Sequence, residues 1–111
     1  MDYISLQAIF SLLFIHFAAD FVFQSDKMAQ NKSHSLYYLA LHSLTYGVFF
    51  IYFGLKFVAV TTLLHFCIDF VTSKINKKLW EKGQVHYFFV SVGFDQMLHM
   101  MCLVYTFLRL A

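Results

Sequence analysis

Histidine and aspartate residues recur in pairs within the apolar segments of this 111-residue chain. Three such pairs are separated by four positions, namely His16 with Asp20, His65 with Asp69, and Asp95 with His99. In an α-helix this spacing puts an imidazole and a carboxylate on one face, with their Cβ atoms about 6 Å apart. Random placement of the Asp and His residues predicts only about 0.5 such pairs. Chance therefore does not account for the pattern.

The pairs predict a binding site for a divalent metal ion. Unpaired carboxylates are very costly in a dry interior, so such a site must bind cations, keep its carboxylates protonated or admit water. Mixed nitrogen and oxygen donors without a thiolate favour Zn and also suit Mn or Fe(II). A bridging carboxylate would allow one or two ions, as in di-metal carboxylate bundles. The predicted ligands are His16, Asp20, His42, His65, Asp69, Asp95 and His99.

Three alternatives to a metal ion site remain open. The residues could form a metal-free proton relay, or they could simply make hydrogen bonds that pack the helices. Helical His pairs can also be axial ligands of a haem. The neighbouring carboxylates argue against a haem. A carboxylate next to the histidine ligands stabilises a hard metal cation, whereas the face of a porphyrin gains less from it.

Position along the helices predicts catalytic and supporting roles. Asp20 and Asp95 are the predicted bridging ligand or general base. We also predict that five nearby polar residues contact the substrate or orient the ligands. Each lies within about two helical turns of one of the pairs or of His42. These residues are Gln24, Tyr38, Ser73, Lys77 and Gln96.

The elements that must position these side chains are membrane helices. Apolar residues make up 60% of the chain and charged residues only 13%, which is too little polar surface for an ordinary soluble protein of this size. Four segments have about the length that crosses a bilayer. The prediction is a single all-α domain, residues 1–111, folded as an up-down four-helix transmembrane bundle with spans near 3–24, 35–53, 55–74 and 86–109. Only Gly54 and Lys56 interrupt the sequence between spans two and three, so one long helix is the competing interpretation.

The distribution of positive charge predicts the orientation. Six lysines lie in the loops that join spans one to two and three to four, whereas the opposite face has only Lys56 and Arg109. The positive-inside rule places those loops in the cytoplasm of a bacterial inner membrane, with both termini outside and the site in the cytoplasmic half. A net charge of +2 without a basic face excludes nucleic acid as a predicted partner. The predicted partners are the lipid bilayer and, for a bundle this small, a second copy, although no GxxxG motif supports a homo-oligomer.

The ordered motifs also resemble a known family. They comprise His16 to Gln24 with Met28, Asn31 and Lys32, then His42, then His65 to Asp69 with Lys74, then Phe94 to His99. This combination is similar to small bacterial and phage membrane proteins grouped as domain of unknown function 3307. The resemblance implies a helical integral membrane protein and the same seven polar residues, plus Gln24, Asn31, Lys32, Lys74 and Gln96. More loosely, the layout is similar to membrane-bound metal-dependent hydrolases.

The leading hypothesis is a metal-dependent hydrolase that acts on a lipid- or phosphate-containing substrate from the cytoplasmic side. A bound divalent ion would activate water and polarise a phosphoryl or acyl group, and a nearby Asp or His would accept the proton. One alternative is a transporter or relay for a divalent metal or protons. Another is a structural or regulatory subunit in which a metal only holds the helices of the bundle together.

Overall fold

The chain is all-α in a computed structural model that describes residues 6–110, and no strand occurs among these residues. The predicted beginning of the first span, at residues 3–5, lies outside the described residues. The helices are α1 (Leu6–Phe17), α2 (Asp26–Asn31), α3 (Leu36–Val48), α4 (Leu55–Glu81) and α5 (Val85–Leu110).

A π-helical turn, Ala18–Val22, extends α1 toward its C-terminal end. The turn closes with a hydrogen bond from the Phe23 backbone N–H to the Ala18 carbonyl, at 2.9 Å. One extra residue per turn rotates the following side chains relative to a regular α-helix, and such turns often occur at functional sites. Asp20 lies within this turn and is buried.

Two serines begin the helices that follow. The Ser25 hydroxyl accepts a hydrogen bond from the Met28 backbone N–H at the start of α2, and Ser35 accepts from Tyr38 at the start of α3. These caps satisfy backbone donors that have no partner within the helix. The short α2 therefore forms a separate element between α1 and α3.

The break between α3 and α4 falls where Gly54 and Lys56 interrupt the apolar sequence. A 3-10 turn, Ile51–Phe53, is followed by Gly54 at φ 106° and ψ 158°, a conformation that only glycine adopts readily. The interpretation of spans two and three as one long helix is therefore wrong. At the other end, α4 continues to Glu81, well beyond the predicted span end at residue 74, and the turn to α5 contains Gly83 at φ 73°.

The central element of the fold is α4, which packs along both α3 and α5, while α1 packs against α5. Gly47 of α3 allows a close approach to α4, because a Cβ atom at this position would collide with the Thr62 side chain. A small apolar core is buried within this assembly. Its members are Leu12, Ala19, Tyr46, Phe50, Phe57 and Leu103.

Two helices, α4 and α5, are long and apolar enough to cross a membrane by length and composition. The apolar segment Leu6–Val22, which joins α1 to its π turn, is shorter, and α3 has 13 residues. The structure thus supports a helical protein with two membrane-capable helices.

Candidate metal centre

All seven residues predicted as metal ligands are buried, and six of them converge. They come from the π turn, α3, α4 and α5, so no single helix could form the cluster. The six fall into two groups in which one donor atom of each residue lies within 4.8 Å of the others. The first group is Asp20, His42, His65 and Asp69, and the second is Asp69, Asp95 and His99.

The first group is built around two carboxylates that face each other across two imidazoles. His42 Nε2 lies 3.0 Å from Asp20 Oδ1 and 3.3 Å from Asp69 Oδ2. His65 Nε2 lies 3.3 Å from the same oxygen of Asp20. The His42 and His65 rings pack edge to face, with centroids 4.9 Å apart, which fixes their relative orientation.

The second group shares Asp69 with the first. His99 Nε2 lies 3.0 Å from Asp69 Oδ1 and 3.1 Å from Asp95 Oδ1. The His99 ring stacks on His65 at a centroid distance of 4.2 Å, so the two groups are in direct contact. The carboxylate common to both groups is therefore Asp69, whereas Asp20 and Asp95, the predicted candidates for a bridging ligand, each belong to one group.

Asp69 also has a cationic partner from the short helix region. Lys32 Nζ donates to Asp69 Oδ2 at 3.2 Å, and the lysine side chain is largely buried. The Ser73 hydroxyl donates to the Asp69 backbone carbonyl, which keeps this predicted residue one turn below the cluster. Ser73 thus supports the backbone at Asp69 and Lys32 contacts its carboxylate.

His16 lies beside the two groups and both of its ring nitrogens are occupied. Nδ1 is 2.8 Å from the Tyr46 hydroxyl, and Nε2 is 2.7 Å from Gln96 Oε1. Because Gln96 also donates through Nε2 to Asp95 Oδ2 at 3.2 Å, its oxygen faces His16. This assigns the His16 proton to Nε2 and makes Nδ1 the acceptor of the Tyr46 hydroxyl proton. His16 is thereby linked to the second group through Gln96.

Thr72 is a member of the site that the sequence reasoning did not include. Its hydroxyl lies 2.7 Å from Asp95 Oδ1 and 3.0 Å from the Ile68 carbonyl. The signal was present, because Thr72 follows Asp69 by three positions and so lies on the same face of α4. Lys32 was indicated only through the family resemblance.

The remaining predicted residues lie farther from the cluster. Tyr38 is half-buried and its ring packs edge to face against Tyr37, without a hydrogen bond to His42 among the described contacts. Lys77 is exposed and its Nζ lies 3.3 Å from His34 Nδ1. The Gln24 side-chain carbonyl is buried without a partner among the described residues. None of these three contacts the six converging side chains.

The donor set can hold a metal ion. Two donors that bind one tetrahedral zinc ion at about 2.0–2.1 Å lie about 3.3 Å from each other, and the contacts between His42, Asp20 and Asp69 match that separation. With neutral imidazoles, the three carboxylates and Lys32 leave two uncompensated negative charges. One divalent cation carries the charge that balances them, which is the compensation a buried cluster needs.

Comparisons with known proteins give one match. The profile of a family described as protein of unknown function (DUF3307) matches residues 8–110. No curated protein matches, and no solved structure matches. The predicted family resemblance is confirmed over nearly the whole chain, whereas the looser similarity to membrane-bound metal-dependent hydrolases stays a prediction.

Proposed function

We propose that this chain, which belongs to the DUF3307 family of proteins of unknown function, is a membrane-embedded divalent-metal-binding protein with hydrolytic activity. The observation that carries the proposal is the convergence of three aspartates and three histidines, all buried, into two donor groups that share Asp69. The hydrolase would act on a lipid- or phosphate-containing substrate from the cytoplasmic side.

The distribution of side chains supports the membrane environment. Among the described residues, 13 polar or charged side chains are buried, against eight hydrophobic ones. Thirty large hydrophobic side chains are exposed. Water would penalise this arrangement heavily, whereas lipid tails favour it. We therefore place α4 and α5, together with the shorter α3 and α1 with its π turn, across a bacterial inner membrane as a four-helix bundle, with the Lys-rich loops in the cytoplasm and both termini outside.

Proton arithmetic favours a metal ion over a purely hydrogen-bonded network. His42 Nε2 lies within 3.3 Å of two carboxylates, and so does His99 Nε2. One ring nitrogen carries at most one proton, so it can donate well to only one of the two oxygens. A cation between the donors satisfies all of these contacts together.

The first group resembles a complete coordination set and the second an open one. Asp20, His42, His65 and Asp69 offer four donors, whereas Asp69, Asp95 and His99 offer three. Three protein ligands with a free position are typical of catalytic sites, and four ligands are typical of structural ones. Zn is the favoured metal, with Mn or Fe(II) as alternatives, and one or two ions could be bound.

The chain itself supplies the groups that a hydrolysis needs around such an ion. A divalent ion in this site would supply an activated water and polarise the scissile group. In its contacts with the described residues Asp20 uses only Oδ1, so its Oδ2 is available to accept a proton. Asp95 is held by Thr72 on Oδ1 and by Gln96 on Oδ2, which orients it as a ligand. We therefore assign the base role to Asp20 rather than to Asp95.

The proposal is tested by measuring metal content and hydrolysis in the same preparation. Protein purified in detergent and dialysed free of loose metal should retain at least one equivalent of a divalent ion by elemental analysis. A chromogenic phosphomonoester in mixed micelles should be hydrolysed by this protein and not after chelation. Asp20→Asn should abolish hydrolysis while Asp26→Asn, an exposed carboxylate of α2, leaves it unchanged. Metal-free protein, or activity indifferent to Asp20→Asn, would contradict the assignment.

A second candidate function is transport of protons or divalent ions, and one observation favours it. A cavity of about 10 Å³, the size of one water molecule, lies on the outer side of His65 and His99. Thr61, Cys102 and Thr106 contribute to its lining, and the Thr61 hydroxyl has no partner among the described residues. A water there would extend the polar path toward the outer leaflet. Metal or proton uptake by proteoliposomes that is lost in His42→Ala would rank transport above hydrolysis.

A further inference from the structure

Lys32 is the only lysine or arginine among the described residues that forms an ion pair with a carboxylate. Its Nζ donates to Asp69 Oδ2 at 3.2 Å, and its side chain is only 19% exposed. The exposed Lys77, at the same end of the bundle, instead has its Nζ 3.3 Å from His34 Nδ1. The buried cluster therefore receives one positive charge from the described part of the chain.

The backbone of Lys32 is fixed at the end of α2. The Ser25 hydroxyl caps the start of this helix by accepting from the Met28 backbone N–H. At the other end, the Lys32 backbone N–H donates to the Met28 carbonyl at 3.0 Å. The Met28 side chain is buried, which anchors the helix at this point. The ammonium group of Lys32 is therefore a tethered cation, a positive charge that the fold itself holds beside Asp69.

Asp69 divides its two oxygens between the donor groups, and Lys32 shares one of them. Oδ2 lies 3.3 Å from His42 Nε2 in the first group, whereas Oδ1 lies 3.0 Å from His99 Nε2 in the second. An ionised carboxylate has about four lone-pair positions, so Oδ2 can accept from Lys32 and still bind an ion in the first group. Lys32 thus leaves both donor groups usable and acts on them through its charge.

The balance of charge favours one divalent ion while Lys32 is present. With neutral imidazoles, Asp20, Asp69 and Asp95 carry three negative charges and Lys32 carries one positive charge. One divalent ion makes the cluster neutral, whereas two divalent ions leave two positive charges uncompensated. All three carboxylates are buried, and an uncompensated charge in such a place is strongly destabilising. A second ion is therefore opposed by the net charge of the cluster.

Removing the ammonium group would change this balance. One divalent ion would then leave one negative charge and two ions would leave one positive charge, so neither state is preferred by its net charge. From this difference we propose that Lys32 restricts the two donor groups, which overlap at Asp69, to one divalent ion at a time. It supplies the positive charge that competes with a second ion for the shared carboxylate. This inference rests on the metal-binding part of the proposed function and does not depend on hydrolysis.

The test counts zinc ions in variants of Lys32. Each protein is dialysed in detergent against a series of buffered free zinc concentrations, and the bound zinc is measured by elemental analysis. The unmodified protein should reach a plateau at one equivalent. Lys32→Gln should take up a second equivalent, at a free zinc concentration at least about tenfold lower than any second uptake by the unmodified protein, because the opposing charge is gone. Lys32→Arg keeps the charge and should stay at one equivalent.

Lys27→Gln is the matched control, because Lys27 is an exposed lysine of the same helix. The exchange removes the same charge from the chain and should leave the count at one equivalent. One equivalent or fewer in Lys32→Gln throughout the series would overturn the proposal. A plateau at two equivalents in the unmodified protein, in Lys32→Arg or in Lys27→Gln would also overturn it.

The free energy of unfolding separates this role from that of a structural ion pair. If Lys32 only attached α2 to α4, Lys32→Gln would be destabilised equally in chelator and in zinc, and such a result would overturn the proposal. As a tethered cation, Lys32 is needed mainly in chelator, where its loss leaves three carboxylates without a counter-charge, and zinc should remove the difference. The zinc count itself is made on metal-loaded protein, so it does not require the chelated variant to fold.

The proposed function and this inference fail in different ways. A protein that shows the expected zinc counts but hydrolyses no phosphoester keeps the role of Lys32 and loses the hydrolase. One equivalent of zinc in all four proteins keeps the metal centre and loses the role of Lys32. An unmodified protein that binds no zinc contradicts both.

Discussion

Replacing Asp69 by asparagine should remove metal from both donor groups. Asp69 is 1% exposed and is the only residue common to the two groups of described residues. The exchange keeps the shape of the side chain but removes its charge, so the cluster becomes a poorer match for a divalent cation. Removing an outer-shell partner of a metal typically costs about 10- to 100-fold in affinity. Loss of a shared ligand should therefore cost at least about 100-fold, or roughly 2.7 kcal/mol.

The measurement compares Asp69→Asn with two variants that each affect one group. Elemental analysis after dialysis should find almost no metal in Asp69→Asn. Asp20→Asn should spare an ion in the second group, and Asp95→Asn should spare one in the first. The comparison therefore also counts the ions, because a single ion in the first group would survive only in Asp95→Asn. Asp26→Asn serves as the control, since Asp26 is an exposed carboxylate outside the cluster.

Chelation distinguishes metal binding from a metal-free ion-pair network. A ligand at 100 times its dissociation constant stabilises the folded protein by about 2.7 kcal/mol. The free energy of unfolding of the unmodified protein should therefore fall by about this amount when a chelator is added, and that of Asp69→Asn should not change. A metal-free network gives the opposite pattern, in which chelation has no effect on either protein and Asp69→Asn loses about 3–5 kcal/mol. That pattern, or full metal retention by Asp69→Asn, would refute the reasoning.

Three further predictions concern the surroundings of the cluster and can be checked by unfolding in mixed micelles and by metal titration. Gly47→Ala should destabilise the fold by about 1–3 kcal/mol, because the added Cβ meets the Thr62 side chain. Gly93→Ala should instead stabilise the fold by about 0.5–1 kcal/mol, because its Cβ meets nothing within 4 Å. Equal effects of the two variants would contradict the close approach of α3 to α4. Tyr46→Phe should lower the free energy of unfolding by about 1–3 kcal/mol, because His16 Nδ1 loses its hydrogen-bond donor at 2.8 Å. The number of bound metal equivalents should not change. A loss of metal in this variant would make His16 a ligand. Thr72→Val should weaken metal binding about tenfold, because it removes the hydroxyl that holds Asp95 Oδ1. Thr72→Ser keeps the hydroxyl and should bind metal like the unmodified protein. Weak metal binding by Thr72→Ser would show that the methyl group matters instead of the hydroxyl.

The sequence predicted which faces of the helices would carry the site. Residues that are four apart must share one helical face. In an apolar environment such polar faces pack against one another, because exposing them to apolar surroundings is costly. All seven predicted ligands are indeed buried, and the all-α class follows from the same apolar segments. These inferences depend only on helical periodicity and on the cost of exposing carboxylates to lipid.

The relations between helices could not be predicted in this way. Helical spacing does not determine how far one helix slides or rotates against another. The central role of Asp69 arises because α4 packs along both α3 and α5, and the place of His16 beside the groups arises from its contacts with Tyr46 and Gln96. The π turn that positions Asp20 has no sequence signature in these residues, and Lys32 reaches Asp69 only through the placement of α2.

The positions of the donors along the chain impose an order on their assembly. Asp20, His42, His65 and Asp69 all precede residue 70, so every donor of the first group has been synthesised before α5 begins at Val85. The second group cannot exist until α5 has been synthesised and has docked against α4. A nascent chain that arrests before α5 would thus carry a binding site with four donors but without the His99 ring that stacks on His65. Docking of the last helix therefore completes the centre rather than beginning it.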